Sequence, residues 1–309
     1  MKNKSLTVIT PVYNGAKFLA ETIESVLNNS DSGSVEYIVV NDGSTDATSE
    51  ILSRYSDRLI VINQENKGES ESVNVGILSA TSDLCLIVNA DDPLPSGGIF
   101  HNFEAFFKNN PSVVVWYPDW LIIDAENRIQ RQIKVLEYSK FELLGNFNCL
   151  PGPGAIFRRD AAIRAGMRNL DYKFVSDYDF WLRMSLQGTF ARREGYLAQW
   201  RTHDLSTTVN HRGLEMSLEM INVIKNFLTQ NPHPEKLSRL AIASSYINAA
   251  HLRKFSDEIP AKRYLFQALI KQRGSIRLFK LRPSIYIILM PLSPLLSNAK
   301  KYFHKRILK

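Results

Sequence analysis

The sequence predicts an α/β fold: a largely parallel sheet covered by helices on both faces, with polar groups gathered along one edge. Three observations carry this. Short β-rich runs alternate with helical patterns through the first half of the chain, and the runs are mostly apolar rather than alternating. Three of the runs then end abruptly in polar or acidic residues. Near-continuous apolar strands belong to sheets buried on both faces. Ligands of such sheets sit beyond the carboxyl ends of the strands, so the residues just after each strand should carry the function.

The elements follow in order. Strands are predicted at 5–10, 35–41, 59–63 and 84–88, separated by helices at 17–28, 45–55 and 70–79. In the first helix Phe18, Leu19, Ile23, Val26 and Leu27 recur at helical spacing. After Pro93 the pattern changes: a helix at 96–108, a strand pair at 113–117 and 121–124, and a strand at 155–158. A helix at 176–187 and strands at 190–193 and 197–201 complete this part. From His211 onward the chain reads as helical, which places a boundary near residue 210: an α/β domain over 1–210, with halves at about 1–95 and 96–210, and a helical segment over 211–309.

With 309 residues and 44% apolar content, the chain can bury one substantial core plus an appended segment. Neither repeats nor low-complexity tracts are present, which excludes a solenoid or a disordered chain. Cys85 and Cys149 are too few for a disulfide framework and are read as reduced core residues. The N-terminus lacks an apolar signal core, so a cytoplasmic protein is expected. The net charge of +7 is unevenly spread. From His251 to the end there are 14 Lys+Arg against 2 Asp+Glu, a balance of +12, which leaves 7 − 12 = −5 for the remainder. A local basic tail, and no nucleic-acid partner, is the reading that fits.

The strand exits hold the candidate chemistry. Strand one runs out into Thr10, Pro11, Val12, Tyr13 and Asn14; strand two into Asn41, Asp42, Gly43 and Ser44; strand four into Asn89, Ala90, Asp91 and Asp92. Adjacent carboxylates at a strand exit repel unless they are solvated or hold a cation. Mg²⁺ or Mn²⁺ takes one or two carboxylates together with phosphate oxygens and water. The same residues also make a good acidic turn ahead of Pro93. Asp42 suits a capping turn as well as a ligand contact, and Tyr13 suits packing as well as stacking on a base.

Taken together and in order, the stretches TPVYNGAKFLAETIESVLNN, YIVVNDGSTDAT, NQENKGESESVNVGILSATSD, LIVNADDPLPSGG, GAIFRRDAAIRAGMRNLDYKFVSDYDFWLRMSLQG and WRTHDLSTT resemble the inverting family-two glycosyltransferases, of the bacterial cell-surface polysaccharide type. The match runs from about Ser5 to Thr208. The resemblance implies a GT-A fold, a Rossmann-like mixed sheet flanked by helices. It also implies transfer of a hexosyl or N-acetylhexosaminyl group from a nucleotide sugar, with UDP the expected carrier, to a lipid-linked or polysaccharide acceptor. Thr10, Pro11, Val12 and Tyr13 match the loop that holds the base, and Asp42 the acid that reads its edge. Asn66, Gly68 and Asn74 fall in the stretch that contributes further nucleotide contacts. Asn89-Ala90-Asp91 takes the place of the Asp-X-Asp motif, giving an Asn-Ala-Asp-Asp variant in which Asp91 and Asp92 are expected at Mn²⁺ or Mg²⁺. Asp177 matches the proposed general base. His203 matches a residue that contacts metal or diphosphate, with Arg201 beside it.

Two departures stand out: Asn89 replaces the first acid of the motif and brings no charge, and Val73 stands where many members carry arginine. Asp177 also suits the N-terminus of its helix, where acids are favoured. The Pro151-Gly152-Pro153-Gly154 turn lines a sugar pocket or is simply a loop. Two other classes compete: a catalytically inactive nucleotide-sugar-binding protein, and a nucleotidyltransferase or dinucleotide oxidoreductase on a related sheet. The first strand is not followed by Gly-x-Gly-x-x-Gly, and no Walker A sequence is present, which count against dinucleotide and P-loop sites.

Beyond residue 211 only patterns remain. Helices are predicted at 214–228 and 237–252. The uncharged stretch 283–299 is 17 residues long and broken by prolines, short of the roughly 20 apolar residues that a span requires. Basic flanks at 273–282 and 300–309 suit anionic headgroups. A peripheral anchor on the inner face of the cytoplasmic membrane is expected, with a helical cap on the catalytic domain as the alternative.

Overall fold

A computed structural model describes residues 4–29, 35–204, 213–253, 263–264 and 266–268. The proline-broken stretch 283–299, its basic flanks and the end of the last family-like motif lie outside the described residues. The chain divides into two compact units, one of residues 1–144 with 148–211, the other of residues 145–147 with 212–309.

In the first unit β1 (Leu6–Val12), β2 (Val35–Asp42), β3 (Ile60–Gln64) and β4 (Leu84–Ile87) alternate with α1 (Leu19–Asn29), α2 (Thr48–Ser53) and α3 (Glu69–Ser79). These four strands are parallel, with β1 between β2 and β4. The alternation of runs was therefore a sound guide, because crossover helices force parallel pairing. Every residue of β1 is buried, as a strand covered on both faces requires. One cover is α3, which lies so close to β1 that a Cβ on Gly76 would come within 2.3 Å of Ile9.

The rest of the sheet departs from the residue-by-residue reading in three ways. First, the sheet is mixed: β7 (Ile156–Arg158) pairs antiparallel to β4 and to β5 (Val113–Ile123), and β6 (Ile129–Ile133) antiparallel to β5. Second, the two expected strand pairs are two long strands, β5 (Val113–Ile123) and β8 (Thr189–Arg201), parallel to each other with register shifts near Pro118 and Asp119. Polar residues within them read as turns in the sequence, but bulges absorb them without ending the ladder. Third, the helix expected at 96–108 is only α4 (Phe103–Asn109). Gly97, Gly98 and Asn102 adopt positive φ ahead of it, and left-handed backbone does not propagate a helix. The short strand β6, the π-helical turn Phe141–Gly145 and α5 (Arg159–Arg164) carried no strong pattern. Helix α6 (Ser176–Met184) completes the unit.

The core of the sheet gathers Leu6, Val8, Leu19, Ile23, Val26, Val39, Leu86, Phe103, Trp116 and Ile156. Each such burial is worth about 1.5–3 kcal/mol against leaving the side chain exposed. In the second unit α7 (Leu214–Gln230) and α8 (Glu235–Arg253) pack on each other. No helix among the described residues is long and apolar enough to cross a membrane.

Candidate active site

Register places the strand exits side by side. Val12 pairs with Asn41, Asp42 pairs with Gln64, and Val88 N–H donates to Ile9 O at 2.9 Å just past β4. The polar segments after β1, β2 and β4 therefore share one edge.

The first two exits are stitched together. Asn14, at φ 51°, donates its N–H to Ser44 Oγ at 2.9 Å and accepts from Thr45 N–H at 2.8 Å. Gly15 N–H reaches Thr48 Oγ1 and Ala16 N–H reaches Asp46 Oδ2, both at 3.0 Å. Burial opposes the charge on Asp46, but hydrogen bonds from Thr48 and Ala16 outweigh it and hold the carboxyl below its ordinary range. Gly43 is held at φ 72°, where a Cβ would stand 2.8 Å from Asn66 N, so only glycine fits this approach of the two loops.

This arrangement redistributes several expected nucleotide contacts. Thr10, Pro11 and Val12 are core residues, and the Thr10 hydroxyl shares a 3.1 Å hydrogen bond with Tyr37 OH. Only Tyr13, 52% exposed, presents a side chain from that stretch. Asp42 is buried and accepts from Gln64 Nε2, Lys67 N–H and Gly68 N–H at 2.7–2.9 Å. Its carboxylate shapes the loop that holds Asn66 and Gly68. Asn74 is buried too, clamped to the Arg168 backbone by bonds of 2.9 and 2.8 Å in both directions. These side chains build the floor of a site and leave little to offer a ligand.

The third exit separates two neighbouring acids. Asp92 points inward: Arg201 N–H donates to Oδ1 at 2.7 Å and Asn89 Nδ2 donates to Oδ2 at 2.9 Å. Burial first, and then the charge of Asp91, push Asp92 well above the usual carboxylate range. Each of its oxygens accepts one of these bonds and the side chain is buried, so Asp92 faces Asn89 and Arg201 rather than solvent. Asp91 is different: its side chain is 35% exposed, and Oδ2 lies 2.9 Å from His203 Nε2. Among the described residues no three His, Cys, Asp or Glu side chains stand ready as a complete cage.

Arg201 is also reassigned by its surroundings. Its side chain is fully buried, with Nη2 on Glu21 Oε2 and Nε on the Asp91 carbonyl, both at 2.8 Å, and Nη1 on the Ala125 carbonyl at 3.1 Å. The guanidinium stacks over Phe18, which also touches the His203 ring. It holds the Asp91 segment in place and has no free face for a diphosphate.

Across the site stands α6. Its N-cap is Val175 and no side chain caps it, so Asp177 does not play the capping role its position suggested. Asp177 is exposed and accepts from Tyr178 N–H at 2.7 Å. The start of α6 is tied to the start of α3 through Ser70 Oγ, which donates to Ser176 Oγ at 2.9 Å.

Glu69, the first residue of α3, was missed in the sequence and joins the two sides. Burial raises its carboxyl above the ordinary range, Arg168 opposes this, and the charges of Asp177 and Asp91 both push it further. Glu69 nevertheless reaches solvent. Cys149 lies in the same surroundings: it is exposed rather than core, and crowding and the charge of Asp177 push its thiol well up. Gly154 lines a small crevice with Asn89, Asp92, Leu94 and Gln199, behind the acids. Gly152 packs against the Trp120 indole.

A sheet that is parallel through β1 to β4 and mixed beyond them, with acids at its strand exits, belongs to a known family. Residues 7–166, just over half of the chain, match the model of glycosyl transferase family 2. The chain belongs to glycosyl transferase family 2. An uncharacterized glycosyltransferase of Rickettsia typhi is 29% identical over 214 residues, which take in 66% of this chain and 65% of that protein. The chain thus spans a little under two-thirds of the length of this relative. Glycosyltransferase GlyA of Streptococcus pneumoniae is 38% identical over 90 residues, 28% of this chain and 13% of that protein. Among solved structures, residues 1-349 of S. aureus TarS in complex with UDP-GlcNAc superpose with a TM-score of 0.64 at 16% identity, covering 87% of this chain and 88% of that fragment. The mannosyltransferase PcManGT of Pyrobaculum calidifontis, in complex with GDP-Man and Mn²⁺, does so at 0.55 and 14% identity, covering 94% and 87%. The fold is therefore the expected GT-A architecture, a mixed sheet flanked by helices.

Proposed function

We propose that this family-two protein is an inverting glycosyltransferase that moves a sugar from a nucleotide donor to an acceptor hydroxyl. The observation that carries the reading is a convergence of backbone: the exit of β4 with Asp91 and the exit of β2 with Asp42 flank β1, Asp42 binds Gly68 N–H at 2.8 Å, and Ser70, two residues on, binds Ser176 beside Asp177 at 2.9 Å. Tyr13 offers a flat ring for the base at the exit of β1. UDP as carrier is supported by the TarS complexes with UDP and UDP-GlcNAc.

Asp91 and His203 form a donor pair suited to Mn²⁺ or Mg²⁺, ions that complete their shells with phosphate oxygens and water. Such an ion would supply a Lewis acid at the diphosphate leaving group. Arg201, Glu21, Asp92 and Asn89 act behind this pair by fixing the backbone and orientation of Asp91. Asp177 takes the proton from the incoming hydroxyl, a role worth about a hundred- to ten-thousand-fold in rate. Attack opposite the leaving group inverts the anomeric centre.

The acceptor is a lipid-linked or polysaccharide hydroxyl, in cell-envelope or exopolysaccharide synthesis including lipopolysaccharide. The balance of +12 beyond residue 250 supports a peripheral seat on the cytoplasmic membrane surface. Liposome binding that survives deletion of residues 275–309 in a flotation assay would refute that seat. The reaction itself is tested by screening nucleotide sugars with Mn²⁺ for a rise in melting temperature, since a bound donor stabilises by mass action. Metal-dependent turnover of the best donor by the parent, and its loss in Asp91→Ala and Asp177→Asn, is the expected result. Turnover unchanged in both variants overturns it.

A further inference from the structure

We propose that Glu69 is the donor-specificity residue of this site: its carboxyl faces the transferred sugar and selects neutral, hydroxyl-bearing sugars over acidic ones. The inference rests on the glycosyltransferase reading above and adds the class of sugar.

The backbone around Glu69 is held at both ends. Gly68 N–H is bound by Asp42 Oδ2 on the nucleotide side, and Ser70 Oγ is bound to Ser176, next to Asp177, on the other. Glu69 therefore spans the distance from nucleotide floor to base. In an in-line displacement the leaving group and the attacking oxygen lie on opposite faces of the sugar. Glu69, held between a residue bound to Asp42 and a residue bound to the neighbour of Asp177, is then beside the ring itself. Among the described residues the Glu69 carboxyl has no hydrogen-bond partner, and it reaches solvent.

Its counter-charge lies behind it. Arg168 is buried, donates Nη1 to Ser176 Oγ at 3.3 Å, and keeps an Nε without a partner. This cation draws on Glu69 and keeps a carboxyl tolerable at a spot already flanked by two acids. Sugar hydroxyls donate well to such a carboxyl, because O–H to carboxylate bonds are short and strong. A sugar with its own carboxylate would instead meet Glu69 and Asp177 as like charges.

The alternative is that Glu69 serves only the N-terminus of α3, where acids are favoured. Glu71, in the same helical turn, is the control. The test is calorimetric binding of UDP, UDP-glucose, UDP-GlcNAc and UDP-glucuronate to the full-length protein with Mn²⁺, for the parent, Glu69→Gln, Glu69→Ala and Glu71→Gln. The parent should bind a neutral UDP-sugar at least about tenfold more tightly than UDP-glucuronate. Glu69→Gln should erase most of that discrimination, Glu69→Ala should bring the neutral donor down toward UDP, and UDP itself should bind all four proteins alike. Discrimination that persists in Glu69→Gln, a loss shared equally by UDP, or the same change in Glu71→Gln overturns the proposal. If the parent binds neither UDP nor any UDP-sugar, the reading of UDP as carrier fails, and the specificity role falls with it.

Discussion

Two groups of acids occupy the same edge of the sheet and are used in opposite ways. Asp42, Asp46 and Asp92 form the floor, each with its carboxyl oxygens held by N–H or hydroxyl donors. Glu69, Asp91 and Asp177 form the rim, reach solvent, and keep lone pairs to spare. The difference lies in the number of donors around each carboxyl. An acid whose two oxygens both accept hydrogen bonds from the protein holds a loop, while an acid with an oxygen left open can take a metal, a hydroxyl or a proton. The pair Asp91–Asp92 makes the point within a single peptide unit.

That contrast can be broken by substitution. The largest effect is expected at the rim: Asp177→Asn should lower nucleotide-sugar turnover by about a hundred- to ten-thousand-fold while leaving UDP affinity and melting temperature alone. Assays of released nucleoside diphosphate, with calorimetry on the same samples, check this. Equal losses of binding and turnover would return Asp177 to a structural role. On the floor the expectation reverses. Asp42→Asn replaces an acceptor with an amide N–H facing the Lys67 and Gly68 donors, and should cost about 2 kcal/mol of stability by denaturant unfolding.

Smaller effects sharpen the boundary between the groups. Glu21→Gln weakens the outer contact that orients Arg201, so Mn²⁺ affinity should fall by about tenfold with the fold intact. A Mn²⁺ titration followed by thermal shift reads it. The smallest concerns acid sensitivity. Asp46 has its folded value depressed, so the stability it contributes is present above its unfolded value of about 3.9 and is lost as pH falls through the lower folded value. Asp46→Asn should therefore be less stable than the parent at neutral pH, with the gap closing below about pH 4. A gap that is constant with pH would mean that the Asp46 charge does not hold the loop.

Much of this molecule was legible beforehand because its signals are local. Apolar runs without alternation, crossover helices of the right length and polar strand exits read out β1 to β4 and the edge where the site lies. The second half was harder. β5 and β8 pass through Pro118 and a run of arginines, and their continuity depends on pairing with each other rather than on propensity.

By itself the sequence determined the α/β class, the order of the first four strands' elements and the family, since these depend on periodicity and ordered motifs along the chain. Tertiary structure alone decided which carboxylates are spent and which are free. It turned Asp92 and Arg201 inward, gave Asp42 and Asn74 to loop and backbone, and brought the start of α3, with Glu69, against the start of α6, with Asp177. The physical reason is that a carboxyl's role is set by the donors and charges around it in space, and in this fold those come from segments far apart in the chain.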